Sequence, residues 1–294
     1  MQLEARGVGQ KLHVSSRCLL STSVMFVAVA VGALLMSSAF PNRASTETPT
    51  VVSATPPPQV VGYKLVFSED FDTPSLSPDG DGNYTWYKGL WWEKPAPGTS
   101  ISIANSVLTL NWKRGQNPND TSITTLSRDA KYHHAWRYGY FEIRLRWDTV
   151  TGSWPAIWLM PVQNANAHDG REAGELDIFE GQGANPHTFY GTIHDWIHGQ
   201  DAKNNKGSNY YKLSNTVDLS QYHVYGLLWT PGRVVWYLDN QSLFSASTYP
   251  VFDVQDYYLI IGSQEGANWT YGDLSGVSSS NIAVNVDWVR VWQK

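Results

Sequence analysis

Phe141-Glu142-Ile143-Arg144-Leu145-Arg146-Trp147 decides the fold class. Apolar side chains recur at every second position and charged ones fill the gaps. In a strand, residues i and i+2 share a face, so this segment offers one face to a core and one to water. Residues 224–229, 233–238, 257–261 and 284–292 are further β-rich runs. Turn formers separate them, among them Thr230-Pro231-Gly232 and Asp239-Asn240. No long stretch of this region carries helical periodicity. Many short strands divided by turn signals predict an all-β sandwich.

Outward from this strand, the chain divides into three parts. Residues 1–40 open with Arg6, Lys11 and Arg17 and continue into an apolar run that ends near Ser37-Ser38-Ala39. This pattern fits a signal peptide, and its length also suits a membrane anchor. Either reading leaves the basic flank in the cytoplasm and exports the remainder. The expected location is secreted, periplasmic or at the cell surface, with membrane contact only through this segment. Residues 41–62 are rich in Pro, Thr and Ser and read as a linker. Residues 63–294 are the expected folded domain, a monomer long enough to bury a sizeable core.

Composition narrows the function. Charged residues make up 16% of the 294-residue chain and the net charge is −5, so there is no basic stripe for nucleic acid. The one cysteine, Cys18, precedes the apolar run, which leaves the domain without disulfides or a thiolate metal site. The 14 Trp and 16 Tyr fit either a core or flat platforms for sugar rings.

The chemistry concentrates in Gly174-Glu175-Leu176-Asp177-Ile178-Phe179-Glu180-Gly181. Glu175 and Asp177 share a strand face, while Glu180 falls one position late for it. A β-bulge, which inserts one extra residue, would return Glu180 to the acidic face. The Cα atoms of Glu175 and Glu180 would then lie about 13 Å apart, four strand steps. Side chains leaning inward approach the roughly 5–5.5 Å carboxyl gap of a retaining glycosidase. Crowded carboxylates raise one another's pKa, which separates a nucleophile from a proton donor. Glu175 is assigned as nucleophile, Glu180 as general acid/base, and Asp177 as the group between them. A solvent-facing strand with ordinary alternating acids would show the same bare alternation.

The flanking motifs add to this. Phe67-Ser68-Glu69-Asp70-Phe71, Tyr138-Gly139-Tyr140-Phe141-Glu142-Ile143-Arg144 and Gly152-Ser153-Trp154-Pro155-Ala156-Ile157-Trp158-Leu159-Met160-Pro161 precede the acids. Gly191-Thr192-Ile193-His194, Trp229-Thr230-Pro231, Trp236-Tyr237-Leu238-Asp239 and Val286-Asp287-Trp288-Val289-Arg290-Val291 follow them. In this order, over about residues 63–294, the chain resembles glycoside hydrolase family 16. The resemblance implies a β-jelly-roll of two curved antiparallel sheets (concanavalin A-like), with a polysaccharide lying along a concave face. It implies the roles given above for Glu175, Asp177 and Glu180, and the bulged spacing is similar to that of laminarinases, agarases and carrageenases. A structural calcium on the convex face is also implied, with Glu69 and Asp287 as candidate ligands unless they are plain surface acids. No organic cofactor is expected.

Trp154 and Trp158 stand at i and i+4 and share a face, which makes them sugar platforms or core fillers. Trp136 and Trp269 are further candidate platforms, and His194 is a candidate partner of the nucleophile or of a sugar hydroxyl. The expected activity is endo-hydrolysis of β-1,3- or mixed β-1,3/1,4-glucan. A galactan hydrolase, a transglycosylase and a non-catalytic lectin on the same fold are the alternatives.

Overall fold

The computed structural model describes residues 56–90, 100–113, 118–163, 172–183, 185–197, 200–201, 209–265 and 282–294. The expected export segment, most of the expected linker and Trp269 lie outside them.

Period-two patterning produces two large sheets. In the first, the strand Gly139–Trp147 pairs with His223–Thr230 on one side and with Ile282–Gln293 on the other. Arg233–Leu238 and Gln241–Ser247 extend that sheet at one edge, Val107–Trp112 and Ile101–Ala104 at the other, and Lys64–Glu69 adds to Ile282–Gln293. In the second sheet the strand Ala173–Glu180 lies between Ser153–Pro161 and Thr188–Ile197. Ser153–Pro161 pairs in turn with Tyr257–Glu265, which pairs with Ser122–Thr124. Among the described residues pairing between strands is antiparallel except for the short Leu76–Ser77 and Trp86–Lys88 strands, which pair parallel. The fold is a β-jelly-roll sandwich.

Phe141, Ile143, Leu145 and Trp147 are all buried in one cluster with Ile157, Leu159, Leu176, Ile178 and Phe179 of the second sheet. Each such side chain contributes about 1.5–3 kcal/mol on leaving water. The alternate residues Arg144 and Arg146 turn outward and stack over Tyr222.

Packing places the start of the folded domain ahead of Tyr63. Val60 is buried against Tyr140, Tyr237 and Trp292 on the outer face of the first sheet, and Gln59 donates from its amide to Asn240. The last residues read as linker are therefore part of the fold.

Two expectations are corrected here. Trp136 pairs with Tyr257, so it shares the core-facing side of that residue. It packs edge-on to Phe67 and Phe141, at ring separations of 5.3 and 5.8 Å, and offers no platform for a sugar. Glu69 and Asp287 do not form a joint calcium site. Glu69 pairs with core-facing Val289 and accepts from the Phe71 amide at 2.7 Å and from Trp86 Nε1 at 2.9 Å. Asp287 turns to the opposite face and pairs with Arg144 at 2.5 Å. Calcium takes six to eight converging oxygens, and these carboxylates diverge across a sheet onto N–H donors.

The strand that carries the acids is irregular where the spacing of its carboxylates predicted a bulge. Against Thr188–Ile197, Asp177 pairs with Thr192 and Glu180 with Tyr190, so three steps oppose two. The same shift occurs against Ser153–Pro161, where Asp177 pairs with Trp158 and Glu180 with Ala156. Ile178 and Phe179 both point into the core and Glu180 returns to the face of Asp177. The Asp177 carbonyl, at the start of the bulge, accepts from Trp236 Nε1 at 2.8 Å, a donor that crosses the core from the other sheet. Gly191 makes room for this, since a Cβ there would lie 2.2 Å from Trp236 Nε1.

Trp236→Phe should therefore destabilise the domain. The orphaned carbonyl costs about 1–3 kcal/mol, in addition to the loss of the larger ring. Denaturant unfolding measures this, and a change below about 0.5 kcal/mol, the usual range of an inert surface substitution, would show that the indole does not brace the bulge.

Candidate active site

Because the bulge realigns the strand, Glu175, Asp177 and Glu180 line one open cavity of about 170 Å³ on the outer face of the second sheet. Trp154, Ala156 and Trp158 line it from the neighbouring strand, and Gly262, Ser263 and Gln264 from the next, with Ser122 and Leu90 beyond. Small side chains make its floor. Glu180 pairs with Ala156, Ala156 with Gly262 and Gly262 with Ser122, so one cross-strand row holds little more than a methyl group per position. A Cβ on Gly262 would meet Ser122 Oγ at 2.6 Å.

Each acid has its own partners. Glu175 Oε2 accepts from Trp196 Nε1 at 2.6 Å. His194 Nε2 lies 3.2 Å from Asp177 Oδ2, and its ring stacks on Trp196 at 5.2 Å. Glu180 accepts from Trp154 Nε1 and from the Thr192 hydroxyl, both at 3.1 Å. Oxygens of Glu175 and Asp177 and a His194 nitrogen all fall within 4.8 Å of one another. Among the described residues this is the group that gathers three metal-capable side chains, and it coincides with the acids themselves.

Burial is the first cause that raises all three carboxyls above the ordinary carboxylate range. Mutual repulsion adds to it: Asp177 acts on Glu175, Glu180 on Asp177, and Glu175 on Glu180. His194 opposes the rise at all three, with Trp196 helping at Glu175 and Trp154 and Thr192 at Glu180. Three close carboxyls with depleted solvation cannot all ionise easily, so the cluster keeps a proton near neutral pH. Such an arrangement supplies both a carboxylate and a carboxylic acid within one cleft.

The structure brings Trp154, Trp158 and His194 to the acids, so of the platform and core readings of the two tryptophans it takes the cleft face. Trp154 does so in an unexpected manner, with its N–H directed at Glu180. Trp136 is in the core, and Trp269 falls outside the described residues. Sequence reasoning did not single out Thr192 and Trp196. Period two held the signal, because both stand two residues from His194 in the strand Thr188–Ile197 and so share its face.

The chain has relatives among known proteins. The chain is 27% identical over 263 residues to the endo-1,3-1,4-beta-glycanase EglC of Rhizobium meliloti, a match covering 77% of this chain and 51% of that protein. The chain thus spans about half the length of that relative. It is 27% identical to a beta-glucanase of Rhodothermus marinus, covering 79% of this chain and 85% of that protein. The crystal structure of the laminarinase catalytic domain from Thermotoga maritima shares the fold with a TM-score of 0.63 at 22% identity, over 79% of this chain and 98% of that one. The family model for glycosyl hydrolases family 16 matches residues 96–289. With that match over well more than half its length, and with the acids on a bulged strand, this chain belongs to glycosyl hydrolases family 16.

Proposed function

We propose that the protein is an exported, retaining endo-β-glycosidase that hydrolyses β-1,3- or mixed β-1,3/1,4-glucan. The observation that carries this reading is the bulge, which gathers Glu175, Asp177 and Glu180 in one cleft with a separate donor set for each outer acid. The names of the relatives support the substrate class: a 1,3-1,4-beta-glycanase, a beta-glucanase and a laminarinase. Export rests on the basic and apolar N-terminal segment, whether it is cleaved or stays as an anchor.

In the first step Glu180 gives its proton to the glycosidic oxygen as the C1–O bond breaks, and a Glu175 oxygen bonds to C1. Water then loses a proton to Glu180 and bonds to C1, and Glu175 leaves as carboxylate. This sequence needs the shared proton on Glu180 and an ionised Glu175. The Trp196 indole N–H on Glu175 at 2.6 Å favours the ionised form there and opposes the rise that burial causes. Asp177, placed between the two and 3.2 Å from His194, adds its repulsion to Glu175 and feels that of Glu180. Trp158 supplies an apolar wall for the sugar, and the small floor residues leave room for its ring.

Assayed against laminarin, lichenan, agarose, carrageenan and xyloglucan, the protein should release products from laminarin, lichenan or both. Glu175→Ala and Glu180→Ala should each lose about 10²–10⁴-fold in rate with the fold intact. Products from agarose or carrageenan alone would make it a galactan hydrolase, and full activity in either variant would remove that residue from the mechanism.

The electrostatics also predict a stability effect. Burial and mutual repulsion raise Glu175, Asp177 and Glu180 above the ordinary carboxylate range. A raised carboxyl stabilises the fold fully below its unfolded value, and that contribution is lost as pH climbs through the folded value. Glu175→Gln removes one such titration. It should melt above the wild type at pH 8, by about 2–4 °C per kcal/mol relieved, with the gap closing toward pH 4. Scanning calorimetry at both pH values checks this, and a variant that melts below the wild type at pH 8 contradicts it.

A further inference from the structure

We infer that Tyr190 and Tyr210 form an aromatic sugar-binding subsite on the side of the acids away from the tryptophan-lined cavity. It would take a pyranose unit of the same polysaccharide that the proposed reaction cuts, and so rests on that reading of the site.

The cross-strand register carries the argument. Glu180 pairs with Tyr190 and Tyr190 with Tyr210. Directly paired residues project from the same face of a sheet, so both rings stand on the face of the acids. The row through Glu180 therefore runs from Ser122, Gly262 and Ala156 on one flank to Tyr190 and Tyr210 on the other. With strands about 4.8 Å apart, Tyr210 lies about 10 Å from Glu180 along the direction in which the floor of the cavity extends. A chain that fills the cavity and continues straight past Glu180 meets these two rings next.

Their state suits the purpose. Tyr210 is 62% exposed, the most exposed aromatic side chain among the described residues. Tyr210 sits on a short outer strand, Asn209–Lys212, where bare aromatic surface invites self-association. Tyr190 is half-buried and held, since its hydroxyl donates to Gln182 Oε1 at 3.0 Å and Gln182 is itself buried. The two rings lie 6.0 Å apart at 40°, a tilted pair in which the fixed ring supports the exposed one. An aromatic face carries negative charge density that attracts the weakly positive C–H face of a pyranose, and a tyrosine hydroxyl such as that of Tyr210 can meet water or a sugar hydroxyl at the rim.

Tyr210→Ala in the full protein tests this with end-labelled gluco-oligosaccharides of increasing length. The expected result is a shift in which bonds are cut, and a drop of about three- to tenfold in kcat/KM on the long oligosaccharides, the range of one aromatic contact. Short substrates that end before Tyr210 should be cut as before, and Tyr210→Trp should restore the long-substrate rate. Retardation in gels cast with each soluble polysaccharide supplies a readout independent of hydrolysis. Unchanged cleavage positions, with equal retardation of Tyr210→Ala and wild type, overturn the subsite. A wild type that cuts no glucan but is retarded by another polysaccharide through Tyr210 would instead sink the glucan reading and leave the subsite standing. Absence of retardation together with absence of cleavage on every polysaccharide overturns both.

Discussion

The Asp177 carbonyl and the Trp236 indole meet at 2.8 Å in the core, and the arrangement of the cleft depends on that contact. A strand with perfect alternation would point Glu180 inward, where a carboxylate has no solvation. Inserting one residue rescues Glu180 and leaves a backbone carbonyl out of register with its neighbours. A buried carbonyl without a donor costs as much as the bulge could gain. The donor arrives from the opposite sheet, and Gly191 leaves the space it needs. The two sheets are thus joined at the point where the chemistry is set.

From that constraint the site follows in layers. Ile178 and Phe179 both enter the core, which anchors the bulged segment on apolar packing and leaves three acids outside on one face. The adjacent strands then supply donors at matching register: Thr192 and Trp196 from one side, Trp154 from the other. The site is electrostatically costly, because burial and repulsion act in the same direction on each carboxyl. Such local cost is typical of catalytic clefts and is offset by the packing of the sandwich beneath.

Much of this was legible in the residues. The alternation at 141–147, with the β-rich runs and turn signals around it, pointed to the sandwich, and the late position of Glu180 pointed to a bulge. Periodicity put Trp154 and Trp158 on one shared face, and the structure shows that this face lines the cleft. Trp136 could not be placed this way, because a two-residue strand carries no alternation, and only its pairing with Tyr257 tells which way it points. Glu69 and Asp287 failed as joint metal ligands for a related reason: they are far apart in sequence, and the sheet face of each depends on register and on the irregularity beside Asp287. Val60 was hidden by its Pro-rich context, which reads as linker although its side chain completes an apolar cluster. Trp236 read as one more strand residue, since a hydrogen bond across the core leaves no trace in local sequence.

The central claim is that the bulge makes Glu175 and Glu180 a nucleophile and acid pair. It is tested most directly by trapping the reaction with a 2-deoxy-2-fluoro glycosyl fluoride and locating the adduct by peptide mass spectrometry. The account predicts one stable glycosyl ester, on Glu175. An adduct on Asp177 or Glu180, or turnover with inverted anomeric configuration and no adduct, would contradict it.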